Sequence, residues 1–110
     1  CPIHINYKNS VVNAKDTSTV VTGRNTGAPV RVIKNKMSRQ YLEMTKFGDV
    51  SLEEIEKLTL GSLRKAVFEG DMDFGSIMAG QSAGLVKAVR PVKVILEDIY
   101  LNSKTFKGLI

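Results

Sequence analysis

The chain has 110 residues, 43% apolar and 25% charged, with a formal net charge of +5 and one cysteine. This is the composition of a globular protein of one domain at most, with no apolar run near the roughly 18 residues of a membrane span and no basic-then-apolar leader. Cys1 alone permits no internal disulfide and suits a reducing cytoplasm; with His4 the single histidine, no metal-ligand spacing is present.

The positive charge does not point to nucleic acid. Basic residues are scattered and mixed with acids in Leu52–Lys57 and Leu96–Asp98. Three Tyr, four Phe and no Trp give no aromatic–basic interleaving of the kind that stacks bases. A solvated surface is the default for such charges.

In chain order, Ile3 to Lys15 reads as a helix with Ile5, Val11 and Val12 as its buried stripe. Thr17 to Thr22 is short and β-branched, hence extended, and Gly23 to Gly27 has loop chemistry. Pro29 to Ile33 reads as a second strand, because proline is tolerated at a strand start. A helical pattern resumes near Lys34 and runs to about Lys46, with Met37, Tyr41 and Met44 at i, i+4 and i+7. Ser51-Leu52-Glu53-Glu54 is a capping box opening a helix whose apolar face is Leu52, Ile55 and Leu58. Gly61 separates it from a helix over Ser62 to Glu69, which Gly70 stops. The next helix is expected from about Ser76 to Ala88. Pro91 starts the last one, with Val92, Ile95, Leu96, Ile99 and Tyr100 as its apolar stripe. Past Asn102 the pattern weakens, and Ser103 to Ile110 is expected to fray. The whole is mostly α with a small β element.

Gly70 to Gly84 is the most informative stretch, with glycines at 70, 75, 80 and 84 inside a helical apolar pattern. Each glycine inside a helix costs roughly 1 kcal/mol relative to alanine, so several together imply close approach by a helix, a backbone or a flat cofactor. On one helical face Gly80 and Gly84 are flanked by Met78 and Gln81, a pattern that plain small-residue packing also produces. Ser76, Met78, Ala79, Gly80 and Gln81 are the candidate cofactor or substrate pocket. The Gln81 amide can donate and accept, and Met78 offers a soft pocket wall. Packing and capping roles remain open for both. Asp71 and Asp73 lack the further ligands of a calcium loop, and they or Ser76 are expected to cap the following helix. Arg31, Lys34, Lys36 and Arg39 cluster at one helical entry with no acid until Glu43: either a solvated face or a dock for an acidic partner or a nucleotide phosphate. His4 has no partner visible in sequence and is expected to be structural.

The order Gly-Asp-x-Asp-x-Gly-Ser-x-Met-Ala-Gly-Gln-x-Ala-Gly-Leu-Val over 70–86 resembles the C-terminal signature of the flavin-dependent enoyl-[acyl-carrier-protein] reductases of the nitronate monooxygenase (2-nitropropane dioxygenase) family. His4-Ile5-Asn6-Tyr7-Lys8 resembles the family's His-Pro-x-Tyr-Lys, with Ile5 in place of proline. Asp16 to Val21 resembles its Asp-x-x-Thr-x-x segment, and Gly27 to Asn35 its Gly-x-x-x-Arg-x-x-x-Asn segment. The matches come in the right order and reach to about Tyr100.

The resemblance implies the C-terminal third of an FMN-binding (β/α)8 TIM-barrel protein, a fold of more than twice this length. About 1–16 would be the helix after the last barrel strand, 17–69 a lid-like insertion and 70–110 the closing helices. The flavin-phosphate loops and a catalytic histidine would precede Cys1, so the fragment is expected to bind no FMN and to catalyse nothing alone. Faces at Leu52–Leu58 and Val92–Tyr100 are expected to be only partly covered. The parent would use FMN and NAD(P)H in the cytoplasm to reduce enoyl thioesters in fatty-acid synthesis. Its partners would be acyl carrier protein or a small-molecule substrate and its own upstream barrel, with a homo-oligomer allowed and neither nucleic acid nor membrane involved. A nitronate monooxygenase of the same fold is the alternative. A stand-alone helical binding module is a second one.

Overall fold

The computed structural model describes residues 1–46, 48 and 50–105. The first helix, α1 (Ile5–Val12), is capped by His4, whose Nδ1 accepts from the Asn6 N–H at 3.1 Å. It is shorter than Ile3–Lys15, and of the expected inner stripe only Val11 packs on the core. Ile5 is exposed, whereas Tyr7, Val11 and Ala14 pack on a core of Ile33, Ala66 and Ile77. Those three fall at i, i+4 and i+7, so the helical period was present but centred on the tyrosine.

Two strands follow, β1 (Thr19–Thr22) and β2 (Val30–Ile33), antiparallel with Thr22 opposite Val30 and Thr19 opposite Ile33. They are joined through a 3₁₀ turn, Arg24–Thr26, held between Gly23 and Gly27. The second core lies under α2 (Lys36–Thr45) and α3 (Leu52–Thr59), where Met37, Tyr41 and Ile55 are buried with Val50 and Leu58 against them. Ser51 caps α3 as expected, accepting from the Glu54 N–H at 3.4 Å. A fully reciprocal capping box occurs instead at α2, between Asn35 and Ser38. Next come α4 (Ser62–Arg64) and a π-helical turn, Lys65–Glu69, which Gly70 ends at φ 69°.

The helix expected over Ser76–Ala88 does not form. Residues 76–79 are extended and pair with β2: the Ile33 N–H donates to the Ile77 carbonyl at 2.8 Å and the Ala79 N–H to Arg31 at 3.3 Å. Val32 and Met78 are bridged antiparallel. A free sheet edge offers unpaired donors and acceptors, and it outcompetes a helix burdened with several glycines. Only a 3₁₀ turn, Gln81–Leu85, remains of the expected helix.

The last helix, α5 (Val92–Thr105), forms where Pro91 placed it, and residues 106–110, the remainder of the expected frayed end, lie outside the described set. Its apolar stripe is not buried: Val92, Leu96, Ile99 and Tyr100 are all more than half exposed, and Ile95 is half-buried. Leu52 on α3 is likewise exposed. The partly covered faces expected from sequence are therefore observed.

Candidate functional site

Because residues 76–79 are extended, their side chains alternate. Ile77 and Ala79 face α1 and the first core. Ser76 and Met78 face the other way, into a cleft of about 460 Å³ between the sheet and the α2–α3 layer. Val30 and Val32 line its sheet side, and Met37, Tyr41 and Ile55 its helical side. At the α4 end, the Ser62 and Ser76 hydroxyls lie 2.7 Å apart, both buried.

The run that carries Ser76 and Met78 is irregular yet tied along its length. Asn6 Nδ2 donates to the Gly70 carbonyl at 3.0 Å, and the Met37 N–H to Asp73 at 2.9 Å. Asn35, buried, donates through Nδ2 to the carbonyls of Met72 at 3.0 Å and Gly75 at 2.7 Å, while its Oδ1 caps α2. The Tyr7 hydroxyl donates to the Met78 carbonyl at 2.6 Å, and burial pushes that phenol above its ordinary pKa. A Cβ on Gly75 would meet Ala66 at 2.7 Å, so the close approach its sequence implied is made by α4's π turn. A Cβ on Gly84 would meet the Lys15–Asp16 backbone at 2.9 Å. Neither contact is a helix crossing.

Of the candidate pocket residues, Ser76 and Met78 reach the cleft, while Ala79 packs behind it. Gly80 and Gln81 are exposed beyond its rim, and the Gln81 amide makes no hydrogen bond among the described residues. Asp71 does accept backbone N–H bonds, from Asp73 at 3.0 Å and Phe74 at 2.9 Å, but it closes a turn instead of capping a helix. The basic cluster is not one helical entry. Arg31 sits on β2 and donates to Thr19 Oγ1 at 3.1 Å, and Lys36 pairs with Asp73 at 3.5 Å, leaving Lys34 and Arg39 on the surface. Tyr7 and Asn35, which hold the site in place, were not among the candidates. Asn35-x-x-Ser38 is readable as a cap pattern, but the two carbonyls it holds lie 37 and 40 residues away, where no local signal reaches.

Comparison with known proteins adds the family. The nitronate monooxygenase model matches residues 1–102. The chain belongs to the nitronate monooxygenase family. Among solved structures, FabK from Thermotoga maritima is 41% identical over 98% of this chain and 35% of its own, with a TM-score of 0.82. A methionine-to-alanine variant of the same protein is 37% identical, covering 98% of this chain and 32% of its own, with a TM-score of 0.75. The chain thus spans about a third of the length of the structures it matches. No curated protein sequence matches.

Nitronate monooxygenase family members are flavin enzymes, so the fit of flavin mononucleotide can be tested against this geometry. A Cβ on Gly80 would find only Ser82 Oγ, at 3.9 Å, which leaves an open strip between Met78 and the unpaired Gln81 amide. That strip fits a ring edge. The cleft does not fit the phosphate, because its one charged lining side chain is the Glu56 carboxylate.

Proposed function

We propose that these residues form the C-terminal third of a cytoplasmic, FMN-dependent enoyl-[acyl-carrier-protein] reductase built on a (β/α)8 barrel. In this reading 1–16 is the helix after the last barrel strand, 17–69 a lid-like insertion and 70–110 the closing segment. The phosphate-binding loops and the catalytic histidine belong to the upstream barrel, and the fragment alone is inactive. The observation that carries the reading is the FabK fold match across 98% of the chain, with the reductase-like signature lying inside the matched region.

Bound against the Met78–Gln81 strip, the flavin would supply the hydride, received from NAD(P)H, that saturates the enoyl double bond. The work of this chain is to bind and orient. Gln81 donates its amide to the thioester carbonyl or a ring edge, and Met78 walls the substrate. Tyr7 and Asn35 fix the backbone beneath them, so little reorganisation is left for the reaction. Lys34 and Arg39, the exposed members of the basic group, suit an acidic carrier protein.

The complete protein, loaded with FMN, should oxidise NADH or NADPH in the presence of an enoyl thioester. Gln81→Ala should lower turnover roughly ten- to hundredfold, the equivalent of one positioned hydrogen bond. Met78→Ala should mainly raise KM. Loss of thermal stability with unchanged kinetics in both variants would make Ser76–Gln81 a packing element. The family model itself favours a second reading, and consumption of a nitroalkane with oxygen, without enoyl reduction, would establish it.

A further inference from the structure

The four methionines of the chain differ in how a small molecule can reach their sulfur. Met37 is 3% exposed, inside the second core. Met72 is half-buried against the first core, and its sulfur accepts from Ser10 Oγ at 3.0 Å. Met44 is half-buried on α2. Met78 alone is open: it is 43% exposed at the edge of the cleft, beside the strip that fits a ring edge, and its sulfur has no hydrogen-bond partner among the described residues. The main chain beneath it is fixed without that side chain. Its carbonyl accepts from Tyr7 at 2.6 Å, and Ile77 and Ala79 on either side are bonded to β2. A change at the sulfur therefore alters the cleft edge and leaves the run in place.

A thioether gives up two electrons to a peroxide, and exposure decides which methionine does so first. Reduced flavin meeting oxygen releases hydrogen peroxide, so the proposed function supplies a local source of oxidant at the strip that Met78 borders. Peroxide is smaller than any substrate that reaches this strip, so a site open to substrate is open to it. We propose that Met78 is an oxidation site for hydrogen peroxide. One peroxide oxygen is transferred to the sulfur, the O–O bond breaks, the thioether is oxidised to the sulfoxide, and the peroxide, reduced, leaves as water. The product is a polar, chiral side chain in place of a flexible apolar one, and methionine sulfoxide reductases reverse it. Until then the site holds an apolar substrate less well. The proposal rests on the flavin reading for its local source of peroxide, while the choice of Met78 over the other three methionines rests on burial and position.

The test treats the complete protein with hydrogen peroxide and maps added oxygen by peptide mass spectrometry. Met78 should gain oxygen about tenfold faster than Met37 and about threefold faster than Met44 or Met72. As it does, KM for an enoyl thioester should rise about threefold to tenfold while the protein still melts cooperatively. Methionine sulfoxide reductases for both epimers should restore KM. Dithiothreitol alone, which reverses disulfides and sulfenic acid at the exposed Cys1, should not. Met78→Leu, whatever its starting KM, should show no further rise on peroxide treatment. Incubating the FMN-loaded protein with NADH or NADPH in air identifies the source. Sulfoxide formed there makes turnover the source, and sulfoxide formed only with added peroxide assigns it to the surroundings, with Met78 the site in both cases. Oxidation of Met78 no faster than that of Met37, an unchanged KM once Met78 is oxidised, or the same rise in Met78→Leu would each overturn the inference. Selective Met78 sulfoxide in a protein that reduces no enoyl thioester would remove the reductase reading and leave the oxidation site standing; enoyl reduction with no preference for Met78 would do the reverse.

Discussion

Tyr7 and Asn35 show how single side chains set a site they do not line. Tyr7 spans from α1 to the carbonyl of Met78, and only the neutral phenol can donate to it. Its folded pKa is raised by burial, so this contribution is fully present below the unfolded value of about 10 and is lost as pH rises through the higher folded value. Tyr7→Phe should cost about 0.5–1.5 kcal/mol at pH 7, and melting curves from pH 8 to 11.5 should show the gap from the parent closing only above about pH 10. Asn35 acts on both sides at once, accepting for the α2 cap and donating to Met72 and Gly75. Asn35→Asp keeps the cap but turns the double donor into an acceptor facing two carbonyls. It should be at least as destabilising as Asn35→Ala, by about 2–4 kcal/mol in denaturant titration. If Asp were tolerated, the cap alone would be the role of Asn35.

At the scale of elements, most of the fold was legible. Both strands, the Ser51 cap, the Gly61 and Gly70 stops and the α2 stripe through Met37 and Tyr41 all follow from local period and turn chemistry. The segment over 76–88 was not. Its apolar spacing fits a helix, and the edge of β2 that captures it lies more than forty residues away in sequence, which no window can weigh. The candidate site was half legible for the same reason. A helix would have put Gly80 and Gly84 on one face, whereas the extended run sends Ser76 and Met78 to the cleft and Ala79 behind it. Gly84 and Gly80 now separate cleanly. Gly84→Ala should cost about 1–3 kcal/mol, since its Cβ meets Lys15 and Asp16 backbone atoms at 2.9 Å. Gly80→Ala, with open space around it, should stay within about 0.5 kcal/mol in thermal melts. Equal losses at both would return the pair to a shared packing role.

The whole molecule is less closed than its mass predicts. It exposes 7950 Å², about a third more than the ~6,000 Å² of a compact monomer of 12.1 kDa. Its radius of gyration is 16.8 Å against about 13 Å for a compact chain of this length. Part of the excess lies where α5 presents Val92, Leu96, Ile99, Tyr100 and Leu101 to solvent, and part at Leu52, Leu60, Phe68 and Leu85. Cohesion is therefore distributed against the usual rule. The amides of Ile33, Met37, Ser76 and Ala79 are each committed to carbonyls that link the coiled 71–79 run to β2, α2 and α4. In deuterium exchange those protons should persist as long as any in β1 and β2. The fourteen-residue α5, the longest regular element described, should lose its own early, because it has no buried residue and little beyond the half-buried Ile95 must be unpacked before it opens. Slow exchange throughout α5 would count against this order, which makes the irregular run the most durable part of the molecule and its longest helix the most transient.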